Sequence, residues 1–262
     1  MNELTWRSTV AVPIATSVVL LVAWELVSIA GLVPPYVLPA PSVILNRLGT
    51  MWPSLASHSV VTVVEIVLGF LLAVVVGGAL ALIIVYYPPF EATVAPWIVV
   101  SQVIPKVALG PLFVIWLGFG LLPKVIIAFL IAFFPILIDT VVGLRSVDRD
   151  SIFLLQAMGA GRWKIFRYLL LPNALPNIFA GMKVAITLAT VGAIVGEFVG
   201  ANEGLGYVIL FANGTMDTSL LFSALVVLSI VAFMLYAVIG LLQSIFVWWH
   251  VSQRVGSSAV TM

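Results

Sequence analysis

The chain has 262 residues, of which 63% are hydrophobic and only 8% are Asp, Glu, Lys or Arg, with a net charge of +1. Soluble domains carry about 25% charged residues, so this chain cannot cover a water-facing surface, and its wealth of Leu, Ile, Val and Phe excludes disorder. A mean hydropathy of +1.27 makes lipid the solvent, the near-neutral charge gives no basic field for nucleic acid, and the lack of cysteine excludes disulfides, thiolate metal centres and thiol catalysis.

A membrane-crossing helix needs about 20 mostly apolar residues. The first such run, 10–32, contains Glu25. It is longer than the apolar core of a signal peptide and no A-x-A site follows, so it reads as a span. In 33–59, Pro34-Pro35 and Pro39-Ala-Pro41 punctuate the chain, and Ser42 is expected to cap a short helix through Met51. The second run, 60–87, carries Gly69, Gly77 and Gly78, and the acid Glu65. The third, 93–118, is interrupted by Pro105, Lys106, Gly110 and Pro111, and the fourth, 121–144, contains Pro135 and Asp139. A polar stretch, 145–175, precedes the fifth run, 176–200. A polar, glycine-rich loop, 201–218, leads to the sixth, 220–249. The expected fold class is an all-α integral membrane protein with about six transmembrane helices, a single domain over 1–262.

Six spans leave both termini on one side. With that side cytoplasmic, Arg7, Arg145, Arg149, Arg162, Lys164, Arg167 and Arg254 lie inside and Arg47 and Lys124 outside, which satisfies the positive-inside rule. Trp248 and Trp249 suit an interfacial anchor at the inner end of the last span. His58 and His250 fall at span ends and read as anchors; no metal site is expected.

Lys106 follows Pro105 in a broken span. A lysine at depth is costly unless it meets water, a carboxylate or irregular backbone lining a cavity. Ser101, Gln102 and Lys106 are therefore candidates to line a translocation path, with snorkelling or pairing to Glu197 as the alternative for Lys106. Glu197 is a second path candidate. It sits among Gly192, Gly196 and Gly200, a spacing of four that suits close helix–helix packing.

The loop 145–175 holds five of the eleven basic residues. Ser146 or Asp150 can cap a helix through Met158, Gly159 and Gly161 break it, and a second amphipathic helix from Arg162 to Leu171 is expected to end at Pro172. Such a loop either lies on lipid or docks a cytoplasmic protein.

Gly159, then Leu169, then Leu171-Pro172 resemble the EAA loop of ABC-importer permease subunits, with Phe153, Leu154 and Leu155 where E-A-A is usual. LLQAMGAGRWKIFRYLLLPNALPNIFAGMK resembles the nitrate/sulfonate/taurine branch, as do VLPAPSVILNRL at 37–48, VIPKVALGPLFVIWLGFG at 103–120 and GEFVGANEGLGYVI at 196–209. The resemblance implies a type I importer permease fold with a cytoplasmic coupling helix between spans four and five. It implies a cell-membrane complex of two permease copies, two ATP-binding subunits and an extracytoplasmic substrate-binding protein. Gln156, Ala157, Gly159, Ala160, Gly161, Arg162 and Lys164 are then the residues expected at the ATPase contact. The replaced E-A-A residues leave the docking chemistry open. The branch implies a small organic or inorganic anion, or a small heterocycle of the thiamine-pyrimidine or riboflavin type. This chain has no G-x-x-x-x-G-K-[ST] phosphate loop, so ATP and Mg are expected in the partner and no cofactor in this chain. No catalytic set is assigned. A stand-alone secondary transporter or channel is the alternative; it would lack a docking loop and commonly carries inverted repeats, of which none is evident. An intramembrane enzyme needs a catalytic cluster at depth, which the scattered acids do not form.

Overall fold

The structure, a computed structural model, describes residues 3–249, with side chains from Ala11 onward except Val99. His250 and Arg254 lie outside the described residues, as does the side chain of Arg7.

The first helix, α1 (Glu3–Ile29), sits at the rim, with no part of its apolar window buried. It is fastened at its C-terminal end, where Trp24 Nε1 donates to Pro39 O at 3.1 Å and Ser28 Oγ to Leu38 O at 2.5 Å. The short α2 (Pro41–Thr50) is capped by Ala40, not Ser42, because Pro41 takes the first helical position, where a missing N–H is harmless. Ser42 instead gives its N–H and hydroxyl to Glu25, at 3.0 and 2.6 Å. Glu25, the acid inside the first apolar run, thus supplies the anion that a helix N-terminus favours.

The long α3 (Trp52–Tyr86) begins eight residues before the expected span, since its first turns bury Leu55 on one side and expose Trp52 and Ser57 on the other. Next come α4 (Pro88–Val103) and α5 (Gly110–Leu117), joined through Ile104-Pro105 and a 3₁₀ turn at Lys106–Leu109 and bent by 82°. Then follow α6 (Leu121–Arg145), α7 (Arg149–Ala157), α8 (Arg162–Ile165), a π turn at Phe166–Leu170, and α9 (Leu171–Gly200). The chain ends with α10 (Leu205–Gly214) and α11 (Thr218–Phe246). Among the described residues, five helices are long and apolar enough to cross a membrane, and the bent α4–α5 pair makes up to six.

Two expectations are corrected. The helix starting at Arg162 does not stop at Pro172 but continues to Gly200. Proline removes a donor and crowds the preceding turn; here the π turn absorbs this, with the Leu171 N–H bonding back to Phe166 O. The stretch 201–218 is not simply a polar loop. Its LGYVILFANG segment forms α10, which buries Leu205, Val208 and Ala212 against Leu55 and Leu220.

The core is α6 packed along both α3 and α9. Small residues set the approach: a Cβ on Gly69 would come 2.5 Å from Ala128 Cβ, and one on Gly192 2.6 Å from Ala128 Cα. One end of the bundle carries α2 and α10, packed around Leu55, Leu205 and Leu220. The other carries α7, seated with Ile152 and Leu155 on a cluster of Leu144, Ile165 and Leu170.

Candidate functional site

The α7 end is built as a rigid, exposed projection. Asp148 caps α7, its side chain accepting from the Asp150 N–H at 3.2 Å. The helix closes with a Schellman motif: Ala160 N–H to Leu155 O and Gly159 N–H to Gln156 O, both 2.9 Å, with Gly159 at φ +79°. Gln156 and Ala157 are therefore the last helical residues, Gly159, Ala160 and Gly161 form the turn, and Arg162 and Lys164 start the next helix. The helix spans 149–157 and closes at Met158, as the sequence leads one to expect, with Asp148 rather than Ser146 or Asp150 as its cap. Its outward face carries Phe153 and Leu154, 62% and 63% exposed, followed by Met158 at 74%. Phe153 and Leu154 stand where E-A-A is usual, and neither they nor Met158 were among the residues expected at the contact.

At the opposite end a buried carboxylate organises the α9–α10 corner. Glu197 is 1% exposed. Its Oε1 accepts from the Thr62 hydroxyl at 2.6 Å and its Oε2 from the Gly206 N–H. Thr62 Oγ1 in turn accepts from the Leu205 N–H at 2.8 Å, and His58 Nδ1 accepts from the Gly204 N–H at 3.0 Å. Glu197, Thr62 and His58 thereby satisfy three successive N–H groups at the start of α10, groups that a helix N-terminus leaves orphaned. Gly204 has φ +110°, and a Cβ there would collide with the Glu197 carboxyl. The acid and the glycines of GEFVGANEGLG are one construction, with Glu197 turned into the packing rather than toward an open path. His58 is a backbone acceptor, its ring tilted against that of Tyr207 with centroids 5.8 Å apart.

Gly196 and Gly200 lie on the same face as Gly192. A Cβ on Gly196 would sit 2.9 Å from Lys124 Cα, and one on Gly200 2.7 Å from the Phe119 ring. Lys124, expected on the outer side, is buried in α6 and pairs with Glu65 of α3 at 2.6 Å. The pair lines a cavity of about 330 Å³ whose wall also includes Asn202 and Glu203. One charge of each sign in neighbouring spans was the available signal for this pair. A second link missed from sequence joins the N-terminal turn of α4 to the C-terminal end of α6, on the α7 side of the bundle: Arg145 grips Glu91 in bidentate fashion, at 2.7 and 2.5 Å.

The broken span brings Ser101, Gln102 and Lys106 together on one exposed stretch. Ser101 and Gln102 are exposed and Lys106 is half-buried. Ser101 Oγ donates to Ile98 O at 2.7 Å. Among the described residues Lys106 makes no ion pair, and Glu197 has other partners. Lys106 opens the 3₁₀ turn where the helix axis bends, so irregular backbone and a cation coincide.

The profile of the family described as "Binding-protein-dependent transport system inner membrane component" matches residues 69–249. The chain belongs to this family. It is 40% identical over 243 residues to the riboflavin transport system permease protein RibX of Chloroflexus aurantiacus, covering 90% of this chain and 89% of that one. It is 37% identical to the formylaminopyrimidine transport permease protein ThiX of Halalkalibacterium halodurans, covering 89% and 94%. Identity to the taurine transport system permease protein TauC of Escherichia coli is 29%, covering 95% and 94%. The fold matches a chain of the inward-facing MetNI methionine ABC transporter with a TM-score of 0.63 and 20% identity, over 76% of this chain and 98% of that one. The permease is thus a transmembrane subunit of the ABC-importer class with the type I fold, and the expected family and fold class hold.

Proposed function

We propose that the permease forms the membrane path of an ATP-driven importer as a pair of identical copies, coupled through the 145–175 loop to two separate ATP-binding subunits that hold ATP and Mg. The carrying observation is α7 itself: a capped helix with its inner face seated on the core and Phe153, Leu154 and Met158 standing free. A helix that merely rests on lipid needs no such termination and rigid seat. The small turn Gly159-Ala160-Gly161 lets a partner approach closely, and Gln156, Ala157, Arg162 and Lys164 rim the contact. In this reading both termini are cytoplasmic, in a cell membrane, and a binding protein delivers solute to the α2–α10 end.

The path runs past the bend of the third span, where Ser101, Gln102 and Lys106 meet the solute. Glu197 supports that path from behind by fixing α10. The solute is a small flat nitrogen heterocycle in preference to an inorganic or sulfonate anion. Relatives named for riboflavin and formylaminopyrimidine are 40% and 37% identical, whereas those named for taurine and aliphatic sulfonates are 29% and 28% identical. Co-purification tests the assembly: the ATP-binding chain should come down with the permease and its turnover should rise when loaded binding protein is added. Recovery of the permease without any ATPase, or turnover indifferent to the binding protein, would contradict it.

A further inference from the structure

A cavity of about 460 Å³ opens at the α7 end, between the last turn of α3 and α8. Among the described residues its walls are Leu82, Ile83, Tyr86, Tyr87, Trp163 and Phe166, with Arg162 as the one charged lining residue. Trp163 and Phe166 are neighbours at 5.5 Å, and Tyr86 meets Phe166 edge-on at 6.4 Å. Trp163 is 69% exposed, and the Arg162 guanidinium makes no ion pair among the described residues. The cavity is thus an apolar slot with aromatic rims and one uncompensated cation at its edge, set where a membrane span ends.

Only an occupant that is apolar along its length and anionic at one end satisfies both features. Tyr and Trp mark the depth of lipid headgroups, and basic pockets between helices at that depth hold anionic headgroups. Lys164 and Arg167 lie on the same short stretch and add to the positive potential without lining the slot. We infer that this cavity is a binding site for one anionic phospholipid of the adjacent leaflet, its acyl chain against Leu82, Ile83 and Phe166 and its phosphate at Arg162. The site rests on the membrane-spanning architecture, and Arg162 lies at the boundary between this slot and the ATPase contact proposed above, which Phe153, Leu154 and Met158 anchor.

Native mass spectrometry of the intact transporter, released from nanodiscs holding equal phosphatidylglycerol and phosphatidylcholine, tests this. The wild type should retain phosphatidylglycerol over phosphatidylcholine, and Arg162→Ala should lower that preference about fivefold, the effect of one basic residue at the lipid surface. Arg162→Lys should restore part of it. Ile83→Trp, which fills the slot and keeps the charge, should lower retention of both lipids, while Lys164→Ala, outside the slot lining, should lower the preference less than Arg162→Ala does. Size-exclusion profiles matching the wild type establish that each variant is folded. Equal retention of the two lipids, an undiminished preference in Arg162→Ala, displacement of the lipid by millimolar inorganic phosphate alone, or a cross-link showing an ATPase side chain in the slot would each overturn the inference.

Discussion

Thr62 donates its hydroxyl to the carboxylate of Glu197 at 2.6 Å, joining α3 to α9 across 135 residues of chain. Both side chains are almost fully buried, and together they receive the N–H groups that open α10. Glu197→Gln places an amide donor against a donor, so it should destabilise the fold by about 1–3 kcal/mol, the cost of an unsatisfied buried group. Thr62→Val should cost a similar amount, and the double variant less than the sum, because one network is lost once. Thermal unfolding of the purified protein in detergent measures all three.

The Lys124–Glu65 pair carries a different expectation. Removing one partner of a buried pair strands a charge, so Lys124→Ala should cost about 3–5 kcal/mol, whereas replacing both, as Lys124→Met with Glu65→Leu, should be far milder. A double-mutant cycle on unfolding midpoints decides it; equal losses in the single and double variants would show that the pair is not the stabilising unit.

The link between Arg47 and Asp217 fastens α2 to the α10–α11 turn. Burial alone would raise the Asp217 carboxyl, but the Ser219 hydroxyl, the Leu220 N–H and the Arg47 guanidinium outweigh it and hold the group below its ordinary value. A lowered folded value means the stabilisation is fully present above the ordinary carboxylate value of about 3.9 and is lost as pH falls through the lowered one. Asp217→Asn should therefore lower the unfolding midpoint at neutral pH and flatten its fall on acidification.

Coupling should be lost without unfolding when the outward face of α7 changes. Phe153→Asp with Leu154→Asp alters only exposed groups, so the unfolding midpoint should stay near that of the wild type. ATPase recovered with the permease should drop about tenfold or more, as for a lost interface anchor. Gly159→Ala, forced to adopt φ +79°, should weaken the same contact by distorting its turn.

The spans were legible because apolar length is a strong signal and needs no tertiary context: the fourth run, 121–144, differs from α6 by one residue. The breaks were less so. Pro172 reads as a stop in one dimension, but a π turn that only three-dimensional packing selects carries the helix past it. Likewise LGYVILFANG is too short to register as a span, and its burial depends on α2 and α11 meeting around it. Among site residues, Glu197 stood out as a charge at depth, yet its partners Thr62, Gly204 and Gly206 are uncharged and distant in sequence or hidden in a glycine-rich turn. Lys124, inside the run 121–144, gave no hint of its partner, because Glu65, which makes its burial tolerable, meets it only across a helix interface that packing creates.

Solute uptake into proteoliposomes holding the permease with its ATPase is the deciding measurement. Uptake should require ATP on the α7 side and loaded binding protein on the α2–α10 side, and Phe153→Asp with Leu154→Asp should abolish it. Uptake by the permease alone, or uptake indifferent to ATP or to the α7 substitutions, would contradict the proposed function.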